Sequence, residues 1–223
     1  DYRNVIAGDV VVCREPQGKP ASDRKEIDLK WTLGMATPEG KKLAVLKATE
    51  LANAYNAKGQ MDQAVEALIN CIKYAPDNRD IYFELTRLFI ESKKFAEARD
   101  VVASMPETAK NDLKGLECAG YAKEGLGDDD EAAALANQML SLRENYAAAL
   151  NLLGVLSYKK GAKDEAVLYF QRAIDADPGY GEAYTNLGVI NWGLGKKDEA
   201  VNCLKKGFML SPTVPDTSAI YYS

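Results

Sequence analysis

Alanine recurs at residues 64, 98, 132, 166 and 200, five times at a spacing of 34. An acid or amide precedes each one: Gln63, Glu97, Glu131, Glu165 and Glu199. Gly59, Gly127, Gly161 and Gly195 keep the same step, with Lys93 at the remaining position, and Pro76, Pro178 and Pro212 fall in phase. A period of this length, kept without insertion or deletion, calls for one supersecondary unit stacked on copies of itself. Five units begin at residues 45, 79, 113, 147 and 181 and cover 45–214.

Within a unit the pattern reads helix, turn, helix. In the fourth, Leu150, Leu153, Gly154 and Leu156 form one helical stripe, and Ala166, Val167, Phe170, Ala173 and Ile174 form a second. Lys160-Gly161 ends the first helix, and Asp177-Pro178-Gly179 stops the second, because proline cannot continue a helix and glycine permits the turn. The recurring alanine is expected where the two helices cross closely, since a larger side chain would push them apart. Small residues at the eighth position (Ala52, Gly120, Gly154, Gly188) suit the same close approach, with Thr86 the exception. Acids at each second-helix start, such as Asp164-Glu165 and Asp198-Glu199, complement the helix dipole.

The phrase Tyr184-Thr185-Asn186-Leu187-Gly188, followed by Gly195, Asp198-Glu199-Ala200 and Leu210-Ser211-Pro212, resembles the signature of the tetratricopeptide repeat family. The resemblance covers 170 of the 223 residues. It implies an all-α chain, a right-handed α-α superhelix of antiparallel helix pairs with a concave groove. It also implies a scaffold for protein–protein contacts. The second unit departs from the pattern: Pro106 lies inside its second helix, so that helix should end near Met105 and leave 106–112 as a loop.

Residues 1–44 fall outside the repeat. Val10-Val11-Val12 is β-branched, and Ile27, Leu29, Trp31 and Leu33 alternate with polar residues. Either a β-hairpin with a long loop or an extended arm along the first helices fits. Pro38-Glu39 then opens a helix leading into the first unit. At the other end, 215–223 reads as a tail that starts a further helix. The chain begins at Asp1 and stops abruptly, so it is read as a piece of a longer protein or a processed product.

Composition narrows the function. With no histidine, Ser-His-Asp and Cys-His catalysis and His-ligated metals are excluded. The 33 acidic against 28 basic residues argue against nucleic acid or an anionic membrane as partner. No apolar run reaches the ~18 residues of a membrane span, so membrane insertion is not expected. Cys13, Cys71, Cys118 and Cys203 lack zinc or disulfide-scaffold spacing and read as reduced, mostly buried side chains. That favours a cytoplasmic location, with the periplasm left open. The chain is expected to need no cofactor and no metal.

The resemblance implies that the groove is lined by the first helix of each unit. Mapped here, it offers Asn53 and Arg87 in the first two units, Tyr121 in the third, Asn151, Val155 and Tyr158 in the fourth, and Asn186, Val189 and Trp192 in the fifth. Tyr121, Tyr158 and Trp192 are the aromatic anchors of this set, and Asn151 and Asn186 are suited to the backbone of an extended peptide. The family's carboxylate clamp for chaperone C-termini is not expected, since Thr49 and Glu84 stand where a lysine and an asparagine are wanted. The leading function is therefore a non-catalytic scaffold holding a protein or peptide ligand in the groove. The alternatives are a repeat module of a larger bacterial enzyme, such as a glycosyltransferase or methyltransferase, and a homo-oligomer assembled through the solenoid ends.

Overall fold

A computed structural model of the chain describes residues 6–7, 10–11 and 38–211. The chain divides into two compact parts, Asp1–Glu84 and Leu85–Ser223. In the first, β1 (Ile6–Ala7) and β2 (Val10–Val11) pair antiparallel, Ile6 opposite Val11 and Ala7 opposite Val10. The strand expected over 27–33 and the helix expected over 215–223 lie outside the described residues.

Helix α1 (Pro38–Asn56) opens on proline and packs on α2 (Met61–Tyr74). Ala48, Leu51 and Ala52 of α1 are buried, as are Ala64, Leu68 and Cys71 of α2. Burial pushes the Cys71 thiol up to about 11, which leaves it a small apolar side chain rather than a nucleophile. Next comes α3 (Arg79–Glu91), whose first turn is tied by the Asn78 carboxamide oxygen accepting from the Asp80 N–H at 3.0 Å.

The second part holds α4 (Phe95–Ser104), α5 (Glu107–Lys110), α6 (Leu113–Leu126), α7 (Asp129–Leu142), α8 (Ala147–Lys159), α9 (Lys163–Ala176), α10 (Gly181–Gly193) and α11 (Lys197–Leu210). The pairs α6–α7, α8–α9 and α10–α11 pack as helical hairpins, and each second helix also packs on the next first helix, α7 on α8 and α9 on α10. The core is therefore continuous along this part. One cluster joins Ala132, Ala136 and Met139 of α7 to Ala149, Leu152, Leu153 and Leu156 of α8. Another joins Phe170, Ala173 and Ile174 of α9 to Ala183, Tyr184, Leu187 and Ile190 of α10. This is an all-α solenoid arrangement, and Ala98, Ala132, Ala166 and Ala200 of the 34-residue step are fully buried in it, as Ala64 is in the first part.

The turns explain the recurring glycine. Gly59, Gly127, Gly161 and Gly195 all have φ between +70° and +82°, left-handed backbone that costs most residues energy. Lys93 holds the same conformation at +57° and makes the same two turn hydrogen bonds, to Ile90 and, through Lys94, to Phe89.

Around Pro106 the structure is more ordered than a loop. Helix α4 stops at Ser104, Met105 is buried, and 107–110 form the single turn α5. That turn rests on α6 so closely that a Cβ at Gly115 would come 1.9 Å from the Ala109 carbonyl oxygen.

Candidate functional site

Three first helices of the second part, α6, α8 and α10, lie side by side. Their shared face carries a hydrogen-bonded ladder. The Tyr121 hydroxyl of α6 accepts from Asn151 Nδ2 of α8 at 2.9 Å, and Asn151 Oδ1 accepts from Asn186 Nδ2 of α10 at 2.9 Å. Tyr121 also lies 3.0 Å from the hydroxyl of Tyr180, the residue preceding α10, and donates to the Ala148 carbonyl at 3.3 Å. All these bonds are satisfied together when Tyr180 donates to Tyr121, which saturates the Tyr121 oxygen as two-fold acceptor and single donor. Asn151 is 2% exposed and Asn186 5%. The Asn151 amide bonds both Asn186 and Tyr121, and Asn186 bonds Asn151 through its Nδ2.

Beside the ladder runs an acidic rim. Glu117 of α6 accepts from the Tyr146 hydroxyl and pairs with Lys114 at 2.6 Å. Tyr146 and Tyr180 are themselves 34 residues apart, and each reaches back to α6 from the loop before a first helix. Burial, followed by the nearby Glu117 carboxylate, pushes the Tyr121 phenol well above its ordinary range. Burial and the same carboxylate raise Tyr146 too, so both stay neutral hydroxyls. The Glu182 carboxyl is raised first by burial, then, against a pull from its own backbone N–H, by Glu117 and Glu91. At the far end of α8, Lys159 pairs with Glu124 at 2.7 Å and Asp129 at 3.0 Å. Burial disfavours its charge, but these two acids outweigh that and leave it raised.

The residues expected from sequence are thus sorted by depth. Asn151, Asn186 and Val189 are buried; Tyr121, Val155 and Tyr158 are half-buried, the last two against the α8–α10 core. Trp192 stands out at 56% exposed, with Lys197 Nζ 6.0 Å from its ring centre. Arg87 of α3 pairs with Glu91, and Asn53 is exposed on α1 of the first part. Sequence reasoning missed Tyr146 and Tyr180, although the 34-residue step between them was there to be seen. No three metal-ligating side chains come together among the described residues. No described helix is long and apolar enough to cross a membrane.

Three models of the tetratricopeptide repeat match the chain, over residues 50–116, 119–181 and 181–214. The chain belongs to the tetratricopeptide repeat family. A BBSome complex member BBS4 homolog from Drosophila melanogaster is 24% identical over 143 residues, 64% of this chain and 29% of that protein, so the chain spans under a third of that relative. The thermophilic repeat protein TTC0263 of Thermus thermophilus superposes with a TM-score of 0.62 at 17% identity, covering 80% of this chain and 95% of the other. A chain of the APC/C hetero-tetramer Cut9–Hcn1 superposes with 0.64 at 16% identity, over 90% of this chain and 38% of the other. At these identities the likeness is one of fold.

Proposed function

We propose that this tetratricopeptide repeat chain is a protein-interaction scaffold that holds a peptide or protein segment against the face formed by α6, α8 and α10. One observation carries the reading: Trp192, a large indole 56% exposed in the last turn of α10, in register with half-buried Tyr158 and with Glu124. An indole held in water gains on being covered, and tryptophan is prominent among binding hot spots. The rim acids Glu117 and Glu182 favour a basic or neutral segment, mainly through its rate of encounter. The ladder beneath supports the face rather than reading the ligand. This role is non-catalytic and asks for no cofactor. The division into five repeats over 45–214 and a right-handed superhelical course belong to the same reading.

The test is to pan a random-peptide display library on the chain and measure the enriched peptides by fluorescence anisotropy. Trp192→Ala should weaken binding at least tenfold, about 1.4 kcal/mol, and leave the melting temperature nearly unchanged. Unaltered peptide affinity, or a large loss of stability showing the ring to be core, would overturn the proposal.

A further inference from the structure

The residue before a first helix is a register position of its own. Asn78, Asp112, Tyr146 and Tyr180 occupy it in successive units, 34 residues apart. The first two are short polar side chains that bond the helix they precede. Asn78 accepts from the Asp80 N–H at 3.0 Å, and Asp112 accepts from the Gly115 N–H at 2.8 Å. A cap of this kind stabilises a helix by about 0.5–2 kcal/mol. Tyr146 and Tyr180 make no capping bond to α8 or α10. Their hydroxyls bond α6 instead, Tyr146 through Glu117 and Tyr180 through Tyr121 at 3.0 Å. Two helices thus go without a local cap, and a bond to an earlier repeat stands in its place.

The two tyrosines differ in reach. Tyr146 joins neighbouring units. Tyr180 spans a whole unit, since it leaves the loop before α10 and meets α6 with α8 between them. The helices it ties carry like charges. Glu117 belongs to α6, and Glu182 lies in the first turn of α10. Lys114 pairs with Glu117 at 2.6 Å and Arg87 pairs with Glu91, but Glu182 makes no ion pair among the described residues. After burial and the pull of its own backbone N–H, the strongest influence on the Glu182 carboxyl is Glu117, ahead of Lys114 and Glu91. Carboxylates set across a face push its walls apart.

We propose that Tyr180 is a positioning residue, a strut that fixes the spacing of α6 and α10 against the repulsion between Glu117 and Glu182, with Tyr146 bracing α8 onto the same helix. The face is then set at one width before any ligand arrives, which removes the cost of ordering it on binding. The strut stands on the geometry of the face alone and not on what the face binds.

Tyr180→Phe isolates it. The ring stays, and Tyr121 still accepts from Asn151 and donates to the Ala148 carbonyl, so the ladder remains bonded. Residual dipolar couplings of the backbone amides, measured on the 223-residue chain, report the angle between α6 and α10. The parent should fit a single orientation of the two helices, that of the structure. In Tyr180→Phe that fit should fail, with α10 turned away from α6, while circular dichroism shows unchanged helix content. Tyr158→Phe, which removes a hydroxyl with no partner among the described residues, should keep every parental coupling. Adding Glu182→Gln to Tyr180→Phe should bring the parental couplings back, because the repulsion is gone. Parental couplings in Tyr180→Phe alone overturn the proposal. So does a changed angle that Glu182→Gln fails to restore, which would reduce Tyr180 to ordinary packing.

Discussion

Tyr121→Phe removes one oxygen and no carbon, so it isolates the hydrogen bonds of the ladder. Asn151 Nδ2 loses its acceptor at 2.9 Å in a residue only 2% exposed, and Tyr180 loses its partner at 3.0 Å. A buried donor left unpaired costs about 1–3 kcal/mol. Asn151, buried beneath the face, bears the full penalty. The expected loss is about 2 kcal/mol, or roughly 4–8 °C in melting temperature for a chain of this size. Thermal melts by far-UV circular dichroism, with urea unfolding for the free energy, read it directly. Tyr158→Phe is the matched control. Tyr158 is half-buried on the same row of helices, and its hydroxyl has no partner among the described residues, so the change should be near zero. If Tyr121→Phe moved the midpoint by less than about 1 °C, the Asn151 amide would be finding water. Asn151 would then be free to meet a ligand, and the reasoning that treats the ladder as support would fail.

Glu182→Gln tests the rim. The folded carboxyl is raised above its unfolded value, so its contribution to stability is present at low pH and is lost as pH rises through the folded pKa. The variant should therefore melt higher than the parent near neutral pH, and the gain should vanish below the ordinary glutamate range of about 4.3, where the carboxyl is protonated in both folded and unfolded chains. Lys93→Gly should stabilise by about 0.5–1 kcal/mol. It relieves left-handed strain of about 1–2 kcal/mol against a smaller glycine entropy cost, and the gain is read as a shift in urea midpoint. Ala166→Leu, at a fully buried helix crossing, should cost about 1–3 kcal/mol by the same measurement.

The helical pairs were legible because a 34-residue alanine step and left-handed turn residues are local facts written into one strand of text. Ala64, Ala98, Ala132, Ala166 and Ala200 could be placed at crossings without knowing the neighbours. Depth on the α6–α8–α10 face could not be read that way. Asn151 and Asn186 occupy groove positions by register, but whether an amide faces a ligand or another amide depends on partners 30 and 35 residues away. Tyr180 escaped notice for the same reason: it sits outside any helix and acts on α6, 59 residues earlier. Lys93 shows the converse. Its positive φ was implied by the glycines at equivalent positions, since the turn hydrogen bonds admit no other backbone.

The short α5 bears on what the 34-residue count measures. Helix α4 has ten residues where α7, α9 and α11 have fourteen, yet the step from Ala98 to Ala132 is unchanged. The missing helical length is made up by Met105, Pro106, α5 and the Asp112 cap, which accepts from Gly115 N at 2.8 Å. Chain length between alanine crossings is thus held constant while the path between them is free to differ. A segment between two crossings can accordingly be rebuilt, provided its residue count and the Gly115 contact are kept, whereas removing one residue from 106–112 would put every crossing after it out of step with those before.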